Sequence, residues 1–139
     1  MNINIFLFGA AILIVAGLLL LVINLTKPHV PQLDKEKYQR NWLKIENSLI
    51  KDNPASWQLA LINGDKLVDT ALRELQIKGQ TMGERLKGSR DKFSSPNSLW
   101  HAHKLRNVVA HEHDAEINFD QTRRALNGFK QALKDLGAI

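Results

Sequence analysis

The chain has no cysteine, so it can build neither a disulfide scaffold nor a thiolate-bound zinc site. It also lacks both glycine signatures that cradle phosphates, the G-x-x-x-x-G-K-[ST] loop and the G-x-G-x-x-G turn. Gly79, Gly83 and Gly88 read instead as helix boundaries. No pair of carboxylates stands at a catalytic spacing. Asp65, Asp69 and Glu74 lie along one amphipathic helix and read as its solvated face. No stretch after residue 26 alternates with period two, which excludes a sheet. A chain of 139 residues has no room for a separate cofactor domain. The most informative absence is at the start: no Asp, Glu, Lys or Arg occurs before Lys27.

What stands there is apolar. Ile5 to Ile23 is an uncharged run of 19 residues. As a helix it would span about 28 Å, close to the thickness of a bilayer core. A secretory signal would need a basic start, a shorter apolar stretch and a small-x-small cleavage site, and none is present. Residues 1–25 therefore read as an uncleaved single-span anchor in preference to a cleaved signal, with membrane contact through residues 5–23. Lys27, Lys35, Lys37 and Arg40 follow the span, and no Lys or Arg precedes it. The positive-inside rule then puts the N-terminus outside and the C-terminal domain in the cytoplasm. Residues 26–34, with Pro28 and Pro31, read as a short stiffened linker.

Residues 35–139 show helical spacing throughout. Tyr38, Trp42, Ile45 and Leu49 form one stripe on a first helix. Asn53-Pro54 opens a second, by a capping Asn and a first-turn Pro. It carries Trp57, Ala60, Leu61, Val68, Ala71, Leu72 and Leu75 inward and should end at Gly79. Gly64 falls on that stripe, where it either breaks the helix as an Asn63-Gly64 turn or admits a closely packed neighbour. Thr81-Met82-Gly83-Glu84 is a capping box for a short helix. A fourth helix runs from Ser98 to about His111. The last, capped by Asn118 or Asp120, turns Ala125, Leu126, Phe129, Ala132, Leu133 and Leu136 inward and ends at Gly137. The expected fold class is all-α, a four- to five-helix bundle after one transmembrane helix.

Four of the five histidines fall in one segment, residues 98–114: His101, His103, His111 and His113. On a helix at 100° per residue, Ala102, Leu105, Val108 and Val109 form the buried face. His103, Arg106, Asn107, Ala110 and His111 share the opposite face, with Trp100 one or two turns away. Arg offers a planar fork of donors suited to phosphate. His can give and take a proton near neutral pH. Such a set suits metal-independent phosphodiester cleavage, in which an RNA 2′-OH attacks its own phosphate. It equally suits an ordinary solvated helix face. The two His-x-His pairs, with no acidic residue in a HExxH arrangement, match a zinc site poorly, so no metal or cofactor is expected.

The six residues Arg106-Asn107-Val108-Val109-Ala110-His111 resemble the Arg-x(4–6)-His motif of HEPN domains, in its common Arg-Asn-x-x-Ala-His form near the end of a helix. Residues 35–137 also resemble a group of small bacterial proteins of unassigned role that carry an N-terminal span. The resemblance implies a HEPN-like helical domain that forms a homodimer, with the motif helices of two subunits meeting in one cleft. It further implies a metal-independent endoribonuclease, with His111 as general acid/base, Arg106 on the scissile phosphate and Asn107 orienting either. Many such domains are instead non-catalytic and bind RNA, nucleotide or a protein partner. Trp100, His103, Lys104 and His113 lie outside the motif and are candidates for ligand binding by proximity alone. The net charge of +5 permits an RNA partner, although its first use is orientation in the membrane.

Overall fold

A computed structural model of the protein describes residues 2–26, 31–112 and 115–139. Residues 27–30 of the linker and His113 lie outside the described residues. The chain divides into two compact units, Met1–Val30 and Pro31–Ile139. The first is the single helix α1, Ile3–Leu25, with no buried residue. It is long and apolar enough to cross a membrane.

The second unit holds five helices and no strand among its described residues: α2 (Lys35–Ser48), α3 (Pro54–Glu74), α4 (Met82–Gly88), α5 (Pro96–His111) and α6 (Phe119–Asp135). A single 3-10 turn, Arg90–Lys92, sits between α4 and α5. The unit is thus an all-α bundle, as the periodicity requires. Its starts are chemically marked. Asp34, Asn53, Thr81 and Asn118 each accept backbone N–H bonds at the head of a helix. Gln121 returns the bond to Asn118 and completes a capping box. α5 begins two residues earlier than the spacing suggests, with Pro96 at its first position.

α3 is the central element and packs against α2, α5 and α6, while α5 also packs against α6. Its glycine decides how closely. Gly64 lies inside an unbroken helix, and a Cβ built on it would come within 2.8 Å of the Phe129 ring. The glycine is therefore a helix contact and not a turn. On the other side Gly128 of α6 lets the backbone of α5 approach, since a Cβ there would meet the Ser98 carbonyl at 3.1 Å. Tyr38, Leu61, Leu72, Phe129 and Leu133 are among the side chains sealed in the resulting core, all of it within the second unit.

Two boundaries differ from expectation. α3 stops at Glu74, five residues short of Gly79. There Gln76 takes a left-handed conformation (φ 58°), its N–H bonds to the Arg73 carbonyl, and that of Ile77 bonds to Leu72. This is the same closing motif that Gly137 supplies at the end of α6, built without a glycine. The apolar side of α5 is also rotated. Leu99, Ala102 and His103 are the buried residues, whereas Leu105, Val108 and Val109 are only half-buried.

Candidate functional site

The rotation of α5 has a specific cause on α3. Asp65 follows Gly64 directly, so one residue closes on α6 and the next faces α5. Asp65 is not part of a solvated face: it is 3% exposed. A buried carboxylate needs partners, and α5 supplies two. Oδ1 lies 2.8 Å from His103 Nδ1, and Oδ2 lies 3.2 Å from Arg106 Nε. The first is a hydrogen bond. The second is an ion pair without hydrogen-bond alignment. His103 is drawn inside by this bond, although the helix wheel places it on the polar face.

The ring of contacts closes through Asn107. Its Oδ1 accepts from Arg106 Nη1 at 3.0 Å, and its Nδ2 lies 3.2 Å from His103 Nε2. One assignment of protons satisfies the ring's three hydrogen bonds. His103 is neutral, donates from Nδ1 to Asp65, and accepts at Nε2 from the Asn107 amide. Arg106 remains 30% exposed along its side chain. Four side chains from two helices are therefore locked to one another, and the guanidinium is held at two of its edges.

This ring floors a cleft of about 620 Å³ between α3, the start of α4 and α5. Asp69, one turn beyond Asp65, shapes its far wall. It pairs with Arg73 on its own helix at 2.8 Å and with Arg85 of α4 at 2.7 Å. Arg85 is buried and also donates to the Gly79 carbonyl. Trp100 closes the near wall. It is half-buried, tilted against the His103 ring at 5.8 Å, and the Lys87 ammonium lies 5.4 Å from its centroid. Across α5 a second groove, of about 660 Å³, runs beside α6 with His101, Leu105, Arg124 and Asn127 among its lining residues. No carboxylate lines it.

The residues singled out from the sequence thus separate. Trp100, His103, Arg106 and Asn107 share one cleft. His111 is the last residue of α5 and is exposed, with no side-chain hydrogen bond or ion pair among the described residues. Lys104 is exposed and does not line the cleft. Asp65 is what sequence reasoning missed. Its one signal was position, since it sits next to the buried stripe of α3. No cluster of three metal-ligating side chains occurs among the described residues. No family model, curated protein or solved structure matches the chain.

Proposed function

We propose that the chain is a membrane-tethered HEPN-like module that pairs with a second copy and binds RNA phosphates along α5 without cleaving them. The observation that carries this reading is the state of Arg106. Its guanidinium is charge-matched by a buried carboxylate and held by Asn107, and the side chain stays partly exposed where it lines a cleft. That arrangement suits recognition of a phosphate oxygen by a fixed donor. It suits transition-state stabilisation less, because Asp65 already offsets the positive charge. The helix itself supports an anionic ligand. α5 carries Lys104, Arg106 and three histidines and has no Asp or Glu.

One observation favours the endoribonuclease reading instead: His111 is exposed, so a substrate can reach its ring. Cleavage and its completion need a base and an acid. His103 is buried with both ring nitrogens engaged, so the motif of one chain offers one accessible histidine. Two copies would have to share a cleft for the chemistry to run.

The soluble unit contains the whole core and can be tested alone. Residues 31–139 should retain a single-stranded RNA on a filter in EDTA, and leave it intact. Arg106→Ala should weaken retention about tenfold, the typical cost of one charged phosphate contact, ~1.4 kcal/mol. Unchanged retention would sink the RNA reading. Cleavage that needs both Arg106 and His111 would replace it with the enzyme reading.

A further inference from the structure

The ring of four side chains on α3 and α5 contains more than is needed to bury a carboxylate. A lone Asp–Arg pair would satisfy Asp65. Here the same carboxylate reaches Arg106 by two routes. One is direct, Oδ2 to Nε at 3.2 Å. The other passes through His103 and Asn107, by contacts of 2.8, 3.2 and 3.0 Å, and ends on Nη1. Both routes fix the orientation of one planar group. They occupy its Nε and Nη1 positions, and Nη2 is left without a partner among the hydrogen bonds and ion pairs of the described residues.

We infer that Asp65 is a positioning residue: with His103 and Asn107 it forms a two-point clamp that aims the Nη2 edge of Arg106 at a phosphate group. The inference rests on the reading of Arg106 as the phosphate contact. Three features bear it. Asp65 and His103 are 3% and 7% exposed, so the clamp is set in the core and does not move with solvent. Its donors and acceptors match in only one arrangement, with His103 neutral and protonated on Nδ1. Gly83 of α4 lines the cleft beside the ring, where an added Cβ would stand 3.8 Å from His103 Nε2, so this residue brings no side chain against that nitrogen. A guanidinium held at two edges loses little further freedom when its third edge is bound.

Asp65→Asn tests this with opposed expectations. The substitution removes one negative charge, which by electrostatics alone tightens RNA binding. It also breaks the clamp, because an amide can still accept from His103 but no longer carries the charge that pairs with Arg106. We expect retention of single-stranded RNA by residues 31–139 to fall about tenfold in spite of the added positive charge. The double variant with Arg106→Ala should be no weaker than Arg106→Ala alone. Asn107→Ala, which removes only the indirect route from a half-buried position, should give part of the same loss. Tighter or unchanged RNA retention in folded Asp65→Asn would overturn the clamp, as would losses that simply add. A second readout is independent of RNA. Nitrogen chemical shifts of the His103 ring should report the Nδ1-protonated tautomer in the wild type and a changed one in Asp65→Asn, with the Arg106 Nε resonance moving as well. If Arg106→Ala leaves RNA retention unaltered, the RNA reading fails, and these shifts alone decide whether the clamp exists.

Discussion

Gly64 shows how one missing methyl group sets the geometry around a site. Alanine is the better helix former by about 1 kcal/mol in an exposed position. At Gly64 that preference meets a Cβ position 2.8 Å from Phe129 Cδ2 and 3.3 Å from Leu126 Cδ2. Phe129 is fully buried, so the ring cannot swing out to solvent without losing its packing. Overpacking a well-filled core costs roughly 1–3 kcal/mol, so the clash outweighs the propensity. Gly64→Ala is expected to lower the melting temperature of residues 31–139, and an unchanged or higher value would show that α6 shifts freely. Because Asp65 is the next residue, the displaced α3 should also weaken RNA retention. His103 teaches the complementary lesson. Its spacing on α5 places it among polar residues, and nothing in its own helix marks it as buried. Its burial depends on a carboxylate 38 positions earlier. A pattern read along one helix does not reveal such a partner.

The helices themselves were legible because each carries its own local evidence. Asn53-Pro54, Thr81 with Glu84, and Asn118 with Gln121 are capping signals whose chemistry is complete within a few residues. The stop of α3 was not legible, since Gln76 adopts a conformation normally left to glycine. What joins helix to helix was harder still. Two ion pairs brace α2 from either side: Lys37 to Glu74 of α3 at 2.8 Å, and Glu46 to Lys130 of α6 at 2.6 Å. The Lys37 ammonium holds Glu74 below the ordinary value of 4.5, and Lys130 does the same for Glu46. Carboxylates whose folded pKa is depressed stabilise the fold above their unfolded value. That contribution is lost as pH falls through the folded pKa. Stability should therefore drop as pH is lowered below about 4.5. The pairs are half-exposed, so each is worth at most about 1 kcal/mol. Glu46→Gln with Glu74→Gln should lower stability slightly at pH 7 and flatten the acid limb of a urea-midpoint against pH plot. An acid limb as steep as the wild type's would assign the loss to other groups.

For the molecule as a whole, the consequential asymmetry is the one between its ends. α1 is apolar on every side and buries nothing within the chain, so its apolar surface requires a solvent other than water. The carboxyl-terminal unit seals its own core and needs nothing from α1. For the side of the membrane that unit occupies, the charge pattern supplies an expectation. Lys27, Lys35, Lys37 and Arg40 lie within fifteen residues of Leu25, the range over which basic residues direct insertion, and none precedes the span. In the folded unit Lys37 and Arg40 are engaged by Glu74 and Glu36. Acidic residues contribute little to orientation, so all four count toward that expectation. The absence of cysteine makes the test clean, because any thiol introduced is the only one present. A membrane-impermeant maleimide should label Asn2→Cys in intact cells and Lys51→Cys, in the exposed turn before α3, only after lysis. Replacing Lys27, Lys35, Lys37 and Arg40 by Gln should make the two positions exchange or mix their labelling. If Lys51→Cys reacts in intact cells with the four charges in place, the α5 cleft faces away from cytoplasmic RNA, and the proposed ligand loses its access to the site.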